Sequence, residues 1–330
     1  YIFNDDELGY ELLEILIEKA QEGVEVLVLY DALGARFTKQ KFWKKLHDAG
    51  GRSEAFFGYT FGIINLRMNY RNHRKIVVID GKIGYTGGMN VADYYIKGTK
   101  VVGEWHDMHC RIEGDAVNTL QKIFLQMWQK VSGQNIHGAK YYRGISNAEY
   151  IKGLKVDTCK SADHQMVGIL NREPHITKDI IRFFYEKAIN DAKDSIKIIN
   201  PYFTLSPKLR AALKNAAKRG VKVEIMLSVK SDIPLTPDCG YYNAHKLMKD
   251  GCTIWLFEPG FHHTKIILVD GNFCTIGSAN LNARSLRWDR EVNAVIVDKE
   301  VTKELDTIFE SQKKRCFKLT EKKWNEWRTP

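Results

Sequence analysis

His73-Arg74-Lys75-Ile76-Val77-Val78-Ile79-Asp80-Gly81, running on to Gly87-Gly88-Met89-Asn90, returns later as His263-Thr264-Lys265-Ile266-Ile267-Leu268-Val269-Asp270-Gly271, running on to Gly277-Ser278-Ala279-Asn280. The spacing is the same in both copies. Each four-residue apolar run reads as a buried strand, and each Asp-Gly pair signals a hairpin turn. Strand alternation places His73 with Lys75, and His263 with Lys265, on one side of its strand. Two imidazoles, two ammonium groups and two side-chain amides suit displacement at a phosphodiester. One His-x-Lys pair on a strand means little, but two in register argue against chance. Two half-sites imply one site.

The duplication extends outward from the motif. Glu11 to Gly34 reads as a helix stopped by Gly23 and feeding the strand Val24-Glu25-Val26-Leu27-Val28-Leu29-Tyr30, and Lys208 to Lys230 repeats that grammar through Gly220 and Val221-Lys222-Val223-Glu224-Ile225-Met226-Leu227. A short helix with a glycine stop and a brief strand follow in each half, before the motif. The pattern predicts an α/β fold: two similar α/β sandwich domains related by pseudo-two-fold symmetry, with the active site at their interface. The expected domains are 1–160 and 161–330, with the polar stretch Val131 to His164 as connector and site rim. Phe183 to Phe203 supplies a helix and strand of which the first half shows only the end, at Tyr1-Ile2-Phe3, so internal analogy expects such a pair in front of residue 1.

Composition narrows the function classes. The 330 residues suit two domains, and 44% apolar with 27% charged residues is ordinary for a soluble globular protein. No stretch offers the ~20 apolar residues of a membrane-spanning helix, and the first residues lack the basic start of a signal peptide. Lysines and arginines outnumber acids 50 to 40, and the resulting +10 predicts attraction to a polyanion, either nucleic acid or an anionic bilayer. The six cysteines are scattered without CxxC spacing, so reduced structural thiols are expected and a zinc site is not.

Within the motif, the small Gly87-Gly88 and Gly277-Ser278 pairs let backbone approach a phosphate, while Asn90 and Asn280 offer N–H donors to its oxygens alongside Lys75 and Lys265. Asp80 and Asp270 complete the two sets at the far end of each strand, where they are expected to hold the turn. A reacting imidazole needs a partner that fixes its tautomer. Asp107, opening Met108-His109-Cys110-Arg111-Ile112, and Glu291, opening Val292-Asn293-Ala294-Val295-Ile296, are the candidates, each expected to accept Nδ1–H from the motif histidine of its own half. His262 is expected to point away from His263, and His47, His137, His164, His175 and His245 to lie on surfaces. The apolar run Phe56 to Ile64 reads equally as an acyl-chain groove or a buried loop. Trp324 and Trp327 are expected to pack a terminal helix on the second domain.

These residues resemble the phospholipase D superfamily, and three stretches are similar to bacterial-type cardiolipin synthases: Asn65 to Lys75, Tyr85-Thr86-Gly87-Gly88-Met89-Asn90, and Glu258 to Lys265. Arg111-Ile112-Glu113-Gly114, Asn200-Pro201-Tyr202-Phe203 and Ser278 to Leu286 extend the likeness along nearly the whole chain. The resemblance implies transfer of a phosphatidyl group between phosphatidylglycerol molecules through a phosphohistidine on His73, with His263 as acid and base and with no cofactor or metal. It implies an anionic phospholipid partner at the cytoplasmic face of the cell membrane, with nucleic acid disfavoured. A phospholipase D-type hydrolase or a phosphodiesterase nuclease is the alternative. The chain departs from the subfamily in lacking transmembrane helices and in having His106 where an arginine is frequent.

Overall fold

The computed structural model describes residues 1–57, 69–146, 149, 165–233 and 236–328. The chain forms two compact units: Tyr1–Tyr85, Met89–Lys97 and Arg111–Asp157 in the first, Thr86–Gly88, Gly98–Cys110 and Thr158–Pro330 in the second. A single cut near residue 160 therefore misses two excursions of first-half sequence into the second unit. The apolar run after Phe57, and most of the connector beyond residue 146, lie outside the described residues.

In the first unit, α1 (Glu7–Gln21) starts where the Asp6 carboxylate accepts Gly9 N–H at 3.1 Å, which satisfies one orphan donor of the first turn. It leads into β1 (Leu27–Asp31), α2 (Gln40–Asp48) and β2 (Arg52–Phe56), with β1 and β2 parallel in the register Leu27↔Arg52 to Asp31↔Phe56. The helices bury Leu13, Phe42, Trp43 and Leu46 against the strands, and Tyr30 stacks on Trp43 at 4.7 Å. The chain then adds β3 (Ile76–Ile79), β4 (Ile83–Gly87), α3 (Tyr94–Lys97), β5 (Glu104–His106), which belongs to the second unit, β6 (His109–Glu113) and α4 (Ala116–Ser132), with β3, β4 and β6 in one three-stranded sheet.

The second unit is built on an eight-stranded sheet. Its elements are β7 (Met166–Arg172), α5 (Ile180–Asp191), β8 (Ser195–Ile199), α6 (Pro207–Lys218), β9 (Lys222–Ser228), α7 (Thr236–Lys249), β10 (Thr253–Phe257), β11 (Gly260–His262), β12 (Ile266–Val269), β13 (Phe273–Gly277), α8 (Ala283–Arg287), β14 (Glu291–Val297), α9 (Lys299–Lys313), β15 (Cys316–Lys318) and α10 (Glu321–Arg328). The sheet order is β15-β10-β9-β8-β12-β13-β14-β7, with β8, β9 and β10 parallel. Alternation sorts each strand between two cores: Ile267 and Val269 face α5 to α7, while Ile266 and Leu268 face Leu305 and Phe309 of α9. Covering both faces is why these strands read as continuous apolar runs.

Both motif hairpins turn through the same backbone device. Asp80 and Gly81 have φ of 55° and 63°, and Asp270 and Gly271 have 51° and 67°, the double left-handed geometry of a type I′ turn. The strands before them differ from expectation. β12 is fully buried between β8 and β13, whereas Val77 and Ile79, alternate residues on one face of β3, are half exposed, and β3 pairs with β4 alone among the described residues. His245 also departs from a surface placement: it is buried, stacked on Trp324 at 4.2 Å, with Nε2 on the Glu321 carboxylate at 3.0 Å. Trp324 is buried on the second unit's core, as its packing role required.

Candidate active site

Each motif histidine and lysine lies just before its strand, in an irregular stretch, so strand alternation is not what joins them. The lysine side chain folds back instead. Lys75 Nζ donates to the His73 carbonyl at 2.8 Å, and Lys265 Nζ donates to the His263 carbonyl. Both lysines are buried. In the first unit the Tyr1 ring meets His73 edge-on at 5.2 Å and sits under Lys75 Nζ at 5.7 Å.

In the second unit, β5 and β11 pair in parallel with Glu104↔Gly260, Trp105↔Phe261 and His106↔His262. Continuing that register by one residue puts Asp107 opposite His263. The His263 amide donates to the His106 carbonyl at 2.7 Å, and His263 Nδ1 lies 2.6 Å from Asp107 Oδ2. This corrects the expectation that each carboxylate serves the histidine of its own half: Asp107, from first-half sequence, serves His263. Glu291 is fully buried and accepts from Ser278 Oγ. No local sequence signal marks β5 and β11 as partners, since each is three residues long.

The small residues of the motif stand close against neighbouring protein atoms. A Cβ on Gly88 would stand 2.1 Å from Asp107 Oδ1, and one on Gly87 would stand 2.4 Å from the Met108 carbonyl. Gly88 thus makes room for the Asp107 carboxylate, and Gly87 for the backbone beside it. Ser278, the matching position in the second copy, spends its hydroxyl on the second carboxylate, Glu291.

The two asparagines are not equivalent. Asn90 is tied into the first unit, its Oδ1 accepting Ile2 N–H at 3.1 Å and its Nδ2 donating to Tyr95 Oη at 2.8 Å. Asn280 is buried, and its Oδ1 has no hydrogen-bond partner among the described residues. Asp270 is a backbone anchor, accepting from the amides of Lys193, Asp194 and Ser195 at 2.9, 2.8 and 2.9 Å. These contacts tie the hairpin turn to the residues before β8.

An aromatic wall encloses His263. Trp105, Tyr202 and Phe261 lie 5.5, 6.1 and 6.1 Å from its ring, and Tyr202 Oη donates to Asp232 at 2.8 Å. Sequence reasoning passed over Trp105, Tyr202 and Asp232. His262 faces away from the wall, stacked on His106 at 4.9 Å, and its pKa is pushed down to about 3 by burial first and then by His106. His106 pairs with Glu104 at 2.9 Å, and Arg315 brings a guanidinium to the same carboxylate at 2.7 Å.

The charges of the site follow from burial. Desolvation pushes the Lys265 ammonium down to about 8, although the carboxylates of Asp107, Glu291 and Asp232 pull the other way. Burial works to raise the Asp107 carboxyl, but the charges of Lys265 and His263 win and hold it below its ordinary value. Below pH 8 the free protein thus presents a cationic Lys265 beside an ionised Asp107. We expect kcat/KM, which reports the free enzyme, to fall as pH rises through about 8. A bound phosphodiester stabilises the ammonium, so the same limb in kcat should lie at higher pH. A pH–rate profile of kcat/KM that stays flat from about 7 to 10 would remove Lys265 as an essential cation.

Among the described residues, no group of three His, Cys, Asp or Glu side chains converges as a metal site requires, and the five described cysteines are free. No helix among them is long and apolar enough to cross a membrane.

Two His-x-Lys hairpins, one with a buried carboxylate on its histidine, point to a phospholipase D-like domain. The family model described as "Cardiolipin synthase, PLD-like domain" matches residues 1–128 and 185–313, and the chain belongs to that family. Cardiolipin synthase 2 of Staphylococcus epidermidis is 38% identical over 326 residues, covering 98% of this chain and 64% of the relative. Cardiolipin synthase of Listeria monocytogenes is 37% identical over 320 residues, covering 97% and 64%. The chain thus spans a little under two thirds of the length of these curated relatives. The crystal structure of phosphatidylserine synthase from Haemophilus influenzae superposes with a TM-score of 0.69 at 18% identity, over 96% of this chain and 80% of that one, and shares its fold.

Proposed function

We propose that this chain is the catalytic part of a phosphatidyltransferase that converts two phosphatidylglycerol molecules into cardiolipin and glycerol. The observation that carries the reading is the His263–Asp107 pair at 2.6 Å beside the buried Lys265, in a chain that bears the His-x-Lys set twice.

His73 attacks phosphorus and displaces the glycerol oxygen, forming a P–N bond as the P–O bond breaks. His263, with Nδ1 held by Asp107, gives its Nε2 proton to the departing glycerol. It then takes a proton from the primary hydroxyl of the second phosphatidylglycerol, whose oxygen attacks phosphorus and releases His73. Lys75 and Lys265, with N–H donors from Asn90 and Asn280, neutralise the phosphoryl oxygens as charge develops. Water in place of the second lipid turns the same steps into hydrolysis. The +10 charge draws the chain to an anionic bilayer, the proposed working surface, on the cytoplasmic side of the membrane.

Vesicles of labelled phosphatidylglycerol should yield labelled cardiolipin and free glycerol, and turnover should survive a chelator. Single-stranded DNA, offered separately because the charge suits it too, should remain intact. Cleaved DNA with unchanged lipid would replace this reading with a nuclease.

A further inference from the structure

The internal repeat can be carried past the motif, and it leads to a residue in each unit that the mechanism above leaves unused. Counting from the glycine that ends the preceding helix, Asp31 stands eight residues after Gly23 and Ser228 eight after Gly220. Each is the last residue of its strand, and each is register-paired with a phenylalanine that ends the next strand, Asp31 with Phe56 and Ser228 with Phe257. Both are buried.

Their side chains do the same thing. Asp31 Oδ2 accepts the backbone N–H of Asn72 at 3.0 Å, and Ser228 Oγ accepts the backbone N–H of His262 at 2.8 Å. Asn72 and His262 are the residues immediately before the motif histidines. Downstream of each histidine, its carbonyl is held by the motif lysine, Lys75 or Lys265. Each imidazole therefore hangs from a short segment tethered at both ends, one tether being the lysine and the other a strand-end side chain.

We infer that Asp31 and Ser228 are positioning residues for His73 and His263, setting the backbone from which each imidazole projects. Asp31 carries more of the load. Its carboxylate also accepts from Arg71 Nε at 3.1 Å and Nη2 at 2.6 Å, and from the amides of Leu33 and Gly34 at 2.9 and 3.0 Å. It thereby fixes the loop after β1 and the residues 71–72 as one piece. In the second unit the hydroxyl of Ser228 suffices because the His263 amide is also held by the His106 carbonyl. The duplication is an independent argument, since two different residue types at matching positions reproduce one hydrogen bond.

This inference rests on the two histidines being the reacting groups, so the test has one readout that needs no turnover. Ser228→Ala, made in the full chain, should lower kcat on an activated phosphodiester about tenfold with little change in KM, as expected for a misaimed group rather than a lost binding contact. In the substrate-free protein, with isotope-labelled histidine, it should shift or broaden the proton resonance of His263 Nδ1 on Asp107. Ser228→Thr, which keeps an acceptor oxygen, should restore both. Asp31→Asn should slow formation of the covalent intermediate, again more in kcat than in KM. Should that variant fail to fold, the Ser228 pair decides. A Ser228→Ala protein with wild-type kcat and an unmoved resonance overturns the inference, and so does failure of Ser228→Thr to restore either. Absence of any phosphodiester turnover by the wild type would count against the proposed function, and the resonance would still decide the positioning role.

Discussion

Replacing Asp107 by Asn should lower kcat by about 10³- to 10⁴-fold while leaving the fold intact, because an asparagine can present N–H to His263 Nδ1 and stabilise the wrong tautomer. The 2.6 Å contact is with a fully buried carboxylate that Lys265 and His263 hold ionised against burial. Its loss removes both the orientation of the ring and the charge that stabilises the imidazolium. KM should change little, since Asp107 faces the imidazole and not the lipid. Steady-state kinetics on phosphatidylglycerol, with circular dichroism to confirm folding, gives the number. A loss smaller than about tenfold would mean that Asp107 merely packs against His263. Gly88→Ala should act on the same carboxylate from its other side, as the added methyl would need the space of Asp107 Oδ1.

The cross-pairing behind that prediction shows where sequence reading stops. The His-x-Lys sets, the Asp-Gly turns and the helix–strand alternation of each half were legible because each is local: a spacing, a pair of residues that tolerates φ > 0, a run of apolar residues with a glycine stop. The partner of His263 was not local. It depends on β5 and β11, three residues each, meeting in parallel across more than a hundred residues of sequence. Symmetry in the sequence favoured pairing Asp107 with the histidine of its own half, and the register overrode it. Burial of β3 failed for a related reason. An Ile-Val-Val-Ile run states a preference for an interior, but its neighbours decide whether one is supplied, and β3 has a strand on one side only among the described residues. Tyr202, Trp105 and Asp232 were missed because an aromatic wall has no spacing rule to betray it.

The two histidines should separate when leaving-group chemistry is varied. On phosphatidylglycerol, His73→Ala and His263→Ala should both reduce turnover to the background of a protein that binds but does not react. With a phosphodiester whose leaving group needs no proton, His263→Ala should regain about 10²- to 10⁴-fold, the usual share of general acid catalysis, and His73→Ala should regain nothing. His263→Ala quenched in alkaline denaturant, which preserves a P–N bond, should therefore accumulate labelled phosphate on His73, because the acceptor hydroxyl also loses its base and the intermediate persists. The environments support this division. His263 has Nδ1 on a buried carboxylate and the rings of Trp105 and Tyr202 around it. His73 meets the Tyr1 ring edge-on, and the Lys75 ammonium holds its carbonyl. Label recovered on His263 in the His73→Ala protein, with none on His73 in the reverse experiment, would exchange the two roles while leaving the two-step chemistry in place.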